Sequence, residues 1–352
     1  MKAKRSGIPL IAEMAGVSIG TVDRALHGRP GINDETRNRV LEVAKKIGYR
    51  PNLAARSLST RKRIRIGVCV PREIRYFYNE MWEGIHEEVR RYTDRGIEFL
   101  LHPIPELGKG ERQAFRSLVD SGVQGIVVTP GNPEAMTPLI DAAEEGDVRV
   151  VCVSTDAPGS QRSCIVCVEP RLNGLIAGEL MAKFAAPDAQ VAIITGMLKT
   201  VDHREKSEGF TKGFREHSHG GSVVATIEGH EDPEESFRKT RKLLKQVPEL
   251  SGIYINTVNC LPVCRALSEA KRAAQVRVIA TDLFREMVPL FRNGTIDASM
   301  HQRPYRQGQL AVRSLAEHLL HEVDLPGTQY LNPGIILRSN LQLFREAGGR
   351  GG

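Results

Sequence analysis

The chain has 352 residues, 41% hydrophobic and 26% charged, which is enough for two or three domains with a sizeable core and too apolar for a disordered chain. Its formal net charge is +7, yet residues 1–63 hold fourteen Lys+Arg against five Asp+Glu, a net of +9, which leaves −2 for residues 64–352. A uniformly basic protein would suggest general polyanion or membrane-surface affinity; a basic head on a near-neutral body points instead to a dedicated nucleic-acid domain.

The first elements are short helices. Ile8, Ile11, Ala12 and Ala15 fall at i, i+3, i+4 and i+7, and Val22, Ala25 and Leu26 repeat the pattern beyond a break at Gly16. Two short amphipathic helices about a tight turn make a helix-turn-helix. Ser18 is placed to cap the second helix, which leaves Ile19, Gly20, Thr21, Asp23 and Arg24 to face a major groove. Asp23 can accept from a cytosine N4 or pair with Arg24 or a neighbouring basic residue. A third helix follows, capped by Asn33 and stopped by Gly48, with Val40, Leu41, Ala44 and Ile47 turned inward. Arg5, Arg29, Arg37, Arg39, Lys45 and Lys46 form a cluster suited to phosphate contacts that position the head without reading sequence.

After the polar, basic linker Ser59–Arg63 the character changes. The run Ile64–Val70 opens a series of apolar strands: 98–102, 125–129, 149–153, 191–195, 223–227, 252–255 and 276–280. Helical patterns such as 78–92, 111–121 and 234–246 lie between them, the signature of parallel α/β sheets. The pattern restarts after about residue 170, so two lobes with a cleft are expected. Ligands of open α/β sheets bind beyond the carboxyl ends of the strands. Asp156, Arg204, Asn256, Asp282 and Gln302 all fall at such positions.

No apolar stretch of about 18 residues occurs, and the basic N-terminus runs into amphipathic helices in place of a signal-peptide core. A cytoplasmic protein with no membrane partner is expected. Six cysteines do not make a disulfide framework. Cys164 and Cys167 lie in a strand-like run where i and i+3 face opposite sides, so Cys164, Cys167, Cys260 and Cys264 are not expected to bind metal. No cofactor is expected either: the chain has no phosphate-binding glycine loop, no Gly-x-Ser-x-Gly elbow and no metal-ligand cluster, which argues against an enzyme.

Residues 15–18 (Ala-Gly-Val-Ser), Thr21, Val22, Arg24, Thr36, Arg37, Val40, Gly48, Tyr49 and the run 49–58 together resemble the lactose/galactose-repressor family of bacterial transcription factors. The resemblance implies a hinge helix in which Leu58 is a wedge that opens a base step in the minor groove, with Asn52, Ala55 and Arg56 lining the groove and its phosphates. Asp23 departs from the family's usual serine. Residues 64–338 resemble periplasmic sugar-binding proteins, whose fold serves this family as effector domain. By that resemblance Arg204, Asn256, Asp282 and Gln302 match hydrogen-bonding positions, and Phe77 and Tyr78 match aromatics that cover a sugar ring. Asp, Asn, Gln and Arg supply the acceptors and donors that hydroxyl edges need.

The expected fold is therefore an all-α helix-turn-helix head plus an α/β two-lobed, periplasmic-binding-protein-like effector domain. Expected boundaries are 1–50 for the head, 51–63 for hinge helix and linker, and 64–338 for the effector and dimerisation domain. Lobe 1 takes about 64–170 and 303–330 and lobe 2 about 171–302 and 331–348, merging into a C-terminal tail over 339–352. The resemblance implies a homodimeric repressor of a pseudo-palindromic operator in double-stranded DNA, controlled by a small sugar or polyol. Two departures keep a sugar phosphate, an inositol-like polyol and a purine open as ligands: Ser154-Thr155 stand where many sugar binders carry Asp-Arg, and Glu231 where an aromatic commonly packs. The competing class is a sugar-binding receptor or sugar-processing α/β protein with an incidental helical extension, which sequence-specific DNA binding by residues 1–63 would exclude.

Overall fold

A computed structural model describes residues 8–26, 31–47, 64–72 and 75–342, and the chain divides into two units, Met1–Lys62 and Arg63–Gly352. In the first, α1 (Ile8–Ala15), α2 (Ile19–Leu26) and α3 (Asp34–Lys46) close around Ile11, Ala12, Ala15, Val22, Ala25, Val40 and Ala44. Gly16 takes the turn at φ +65°, a left-handed backbone that costs other residues roughly 1–2 kcal/mol. Ser18 Oγ accepts from the Thr21 amide at 3.1 Å and Asn33 Oδ1 from the Thr36 amide at 2.8 Å, so both helix starts are capped by the expected side chains. Leu41, expected inside, is 42% exposed. One step of about 100° carries it off the arc that Val40, Val43, Ala44 and Ile47 present to the core.

In the second unit strands and helices alternate. The chain runs β1 (Ile64–Cys69), α4 (Arg75–Thr93), β2 (Ile97–Leu101), α5 (Glu111–Asp120), β3 (Gly125–Val128), α6 (Pro133–Glu145), β4 (Arg149–Val153) and β5 (Cys164–Val168). After Val168 it crosses to a second sheet: α7 (Pro170–Phe184), β6 (Gln190–Thr195), α8 (Val201–His217), β7 (Ser222–Glu228), α9 (Pro233–Gln246), β8 (Leu250–Ile255), α10 (Cys260–Glu269), β9 (Arg277–Thr281), α11 (Val288–Arg292) and β10 (Ala298–His301). It returns through α12 (Pro304–His321) and β11 (Gly327–Leu331) to the first sheet, then crosses once more to β12 (Gly334–Ile336) in the second. The orders are β2-β1-β3-β4-β5-β11 and β7-β6-β8-β9-β10-β12, parallel except for β12 against β10. Each order reverses beside its first strand, β1 or β6, and the crevice at such a reversal is where open sheets hold ligands.

Helices cover both faces of each sheet, so central strands such as β3 and β5 are buried throughout, as parallel strands require. Cys164 packs under α4 and α12 while Cys167 packs on the opposite face with Phe115 and Met136. All six cysteines are free and buried. Strands β11 and β12 were not read from the sequence. Thr328 and Tyr330 of β11 are exposed and β12 is three residues long, so neither shows an apolar run.

Helices α7 and α8 meet backbone to backbone. A Cβ added at Gly174 would lie 2.1 Å from the Lys206 carbonyl oxygen, at Gly178 2.4 Å from that of Phe210, at Gly209 2.2 Å from that of Arg171, and at Gly213 2.4 Å from that of Leu175. Only glycine permits this approach. The interlock sets the rotation of α8 about its axis, and with it which side chains of that helix point at the cleft. No described helix is long and apolar enough to cross a membrane.

Candidate functional site

On the head, Ser18, Ile19, Gly20 and Arg24 are exposed and Thr21 and Asp23 half-buried, so one face of α2 is presented. Ile19 is 57% exposed while Val22 and Ala25, on the opposite side, are buried. Asn52, Ala55, Arg56 and Leu58 lie outside the described residues, as does Gly48.

Between the lobes lies a cavity of about 40 Å3, lined by Phe77, Tyr78, Ser154, Thr155, Asp202, His203, Lys206, Glu231, Asn256 and Gln302 among others. Room for a few waters remains, so a larger ligand enters only by parting the lobes. The lobes touch across it: Thr200 Oγ1 donates to the Gly131 carbonyl at 3.0 Å, and Tyr76 stacks on Phe284 with ring centroids 3.9 Å apart. Phe77 and Tyr78, both buried, pack edge to face at 5.0 Å.

Four of the seven expected effector residues line this cavity: Phe77, Tyr78, Asn256 and Gln302. Asp282 stands directly behind Gln302, accepting from its backbone amide at 2.8 Å and its Nε2 at 2.7 Å. Arg204 and Asp156 are elsewhere. Arg204 points into a groove of about 780 Å3 on the outer face of α8, with Arg171, Lys212 and Arg215, because it sits two residues from the inward Asp202 on a helix. Asp156 Oδ2 accepts from Arg162 Nη2 at 2.7 Å, and Arg162 Nη1 donates to the Gly327 carbonyl at 2.9 Å, so this carboxylate ties the loop after β4 to β11. Ser154, at φ +72°, turns the chain so that Thr155 faces the cavity instead.

Asp202, His203 and Lys206, which sequence reasoning missed, hold the floor together with Glu231. Lys206 is 1% exposed, its Nζ bonded to Asp202 Oδ2 at 2.7 Å and to Gln302 Oε1. His203 Nδ1 accepts from the Met197 amide at 3.0 Å, and its Nε2 lies 3.4 Å from Glu231 Oε1. Glu231 also accepts from Thr257 Oγ1 at 2.6 Å. Gly196 makes the His–Glu pair possible, because a Cβ there would fall 2.0 Å from Glu231 Oε1. The available signal was Asp202-x-x-x-Lys206, an i, i+4 pair in the first turns of α8. Asn256 Nδ2 donates to the His203 carbonyl at 3.0 Å and Ser207 Oγ at 2.8 Å, while its Oδ1 is buried without a donor.

Burial raises the Asp282 carboxyl to about 6 against the bonds it accepts from Gln302. Burial, then the nearby charges of Asp282 and Glu83, raises Glu80 on α4 to about 8. A carboxyl bound more tightly to its proton in the folded state stabilises the fold below its unfolded pKa and loses that contribution as pH climbs through the folded value. For Glu80 the loss runs from about pH 4.5 to 8. His301, lowered by burial and Arg303 to about 4, acts with opposite sign only below about pH 6.5. Between pH 6.5 and 8.5 the melting temperature should therefore fall with rising pH, and Glu80→Gln should flatten that fall. Equal slopes in both proteins would remove Glu80 from the account.

Residues 9–52 match the lacI family of bacterial regulatory proteins and residues 66–322 the periplasmic binding protein domain. The chain is 25% identical to the HTH-type transcriptional regulator AglR of Rhizobium meliloti across 94% of this chain and 92% of that one. It is 24% identical to catabolite control protein A of Priestia megaterium across 70% and 72%. Among solved structures, a Burkholderia graminis transporter solute-binding protein in complex with D-arabinose superposes with TM-score 0.73 at 24% identity, covering 80% of this chain and 97% of that one. A Bacillus halodurans solute-binding protein with bound myo-inositol does so with TM-score 0.74 at 20% identity, covering 82% and 98%. These relatives are regulators in sequence and solute receptors in fold, a combination that matches a capped helix-turn-helix followed by two facing α/β sheets. The chain belongs to the lacI family of bacterial DNA-binding transcription regulators, with a periplasmic-binding-protein domain as its effector module.

Proposed function

We propose that the chain is a repressor that binds a pseudo-palindromic operator as a cytoplasmic homodimer, with its operator affinity set by a small sugar or polyol held between the lobes. The convergence of Asn256, Gln302 and the Asp282 behind it with Phe77 and Tyr78 supports the effector: hydroxyl-pairing groups meet an aromatic face. The arabinose and myo-inositol of the two solute-binding proteins support the same class. Arg204 and Asp156 are left out of the proposed contact set by their positions. On the DNA side, Ser18, Ile19, Gly20, Thr21, Asp23 and Arg24 supply the reading face, residues 1–50 the domain and 51–63 the hinge, where Asn52, Ala55, Arg56 and Leu58 take the roles their family positions imply. Ligand acts by binding one lobe arrangement more tightly than the other.

The test is selection of genomic DNA fragments by the full-length protein, followed by titration of the recovered site with salt and with neutral sugars and polyols. One recovered palindrome, an affinity falling steeply with salt and a change in affinity on adding one sugar are expected. Binding without sequence preference would overturn the operator reading; an operator that no sugar or polyol affects would overturn the effector reading.

A further inference from the structure

Ile19 opens α2 on the presented face of the head, and at 57% exposure it is the most exposed large apolar side chain among the described residues. The core does not use it: Val22 and Ala25 carry that helix's share of the packing. The second helix of a helix-turn-helix sets its N-terminal side chains against base edges in the major groove. Ile19 has no hydrogen-bonding atom to offer there. The apolar group that base edges show in that groove is the C5 methyl of thymine.

The residues beside Ile19 leave it that task. Ser18 Oγ and Thr21 Oγ1 bond each other at 2.9 Å, and Ser18 Oγ also accepts from the Thr21 amide, so both hydroxyls are engaged in starting the helix. Gly20 is an independent observation. Its backbone is helical and outside the left-handed region, and a Cβ there would meet nothing nearer than Ser18 Oγ at 3.8 Å, so the packing of the head does not call for glycine. Glycine inside a helix lowers stability relative to alanine. What it provides in return is clearance beside Ile19, where a base closing on the bare backbone brings its edge against the isoleucine methyls.

Resting on the operator reading above, we propose that Ile19 reads thymine, packing on the C5 methyl of one thymine in each operator half-site, with Gly20 as the clearance that lets the base approach. Arg24, exposed in the next turn, recognises by hydrogen bonds instead, and these do not depend on a methyl group. The methyl contact is therefore a separable part of the recognition.

The full-length protein is titrated by fluorescence anisotropy with the operator recovered by genomic selection, and with duplexes carrying deoxyuridine in place of one thymine at a time. Low salt keeps every variant in range through its phosphate contacts. Uracil retains the O4 acceptor and the pairing with adenine and lacks only the methyl group. One position in each half-site should weaken binding about fourfold on substitution, the equivalent of one buried methyl group. Ile19→Ser should reduce that penalty to under about 1.5-fold, and Ile19→Val, which keeps a branched apolar side chain, should retain about threefold. Because Ile19 is exposed, neither substitution opens the core of the head, and unchanged helix content by circular dichroism checks this. An operator without a sensitive thymine, or a penalty that Ile19→Ser leaves unchanged or Ile19→Val abolishes equally, would overturn the methyl contact and leave the operator reading standing. Failure to recover any operator would overturn that reading, and this inference with it.

Discussion

Replacing Lys206 with methionine is expected to destabilise the effector domain by about 3–5 kcal/mol, the range for removing one partner of a buried ion pair. The side chain is 1% exposed and Asp202 8%, so the carboxylate left behind cannot recruit bulk water. Gln302 Oε1 loses its donor in the same step, while the Gln302 Nε2 bond to Asp282 keeps the amide from rotating to compensate. Methionine fills nearly the same volume, so the loss reports charge and hydrogen bonding and not a cavity. Thermal unfolding should show a drop of roughly 10 °C, at about 2–4 °C per kcal/mol for a domain of this size. Restoring neutrality with Asp202→Asn in the same chain should recover part of it. A single variant that melts within about 1 °C of the parent would mean that the pair is solvated in solution.

Asp282→Ala is expected to cost at least a hundredfold in affinity for whichever ligand stabilises the parent protein, with operator affinity in the absence of ligand changed less than threefold. Its two oxygens hold the Gln302 backbone and side chain, and Gln302 in turn fixes Lys206, so one carboxylate orients three groups of the cleft. Hydrogen bonds to a charged acceptor contribute about 1.5–3 kcal/mol each, and two of them account for the expected loss. Asp282 also sits at φ +59°, where alanine is strained and asparagine tolerated. Asp282→Asn should thus fall between the two in affinity while melting closer to the parent. Calorimetric titration of both variants checks this, and unchanged affinity in Asp282→Ala would take the residue out of ligand binding.

Local chemistry was legible in the sequence because it acts within a few residues. The Gly16 turn and the Ser18 and Asn33 caps need neighbours no more than three positions away. The central strands of the two sheets were legible because a parallel strand buried on both faces must be apolar along its length. What escaped was set at a distance. The phase of α8, which turns Asp202, His203 and Lys206 inward and Arg204 outward, depends on Gly174 and Gly178 of α7 packing against it. Asp156 was expected in the cleft because it follows β4, yet the left-handed Ser154 shifts the inward position to Thr155, and Asp156 finds its partner in Arg162. Strand β11 pairs with β5 across more than 150 residues of chain, and nothing near it announces that pairing.

The chain passes between the sheets three times, after Val168, between His301 and Pro304, and between Leu331 and Gly334. A single covalent strap would leave a lobe three ways to turn, but three straps side by side behave as the pins of a door. Bending about the line through them strains few torsions, whereas twisting across it stretches one strap against another. The lobes are thereby left one easy rotation. A ligand of any shape that fits the cleft is converted into a single angle, and a single angle is the simplest quantity for a second part of the molecule to read.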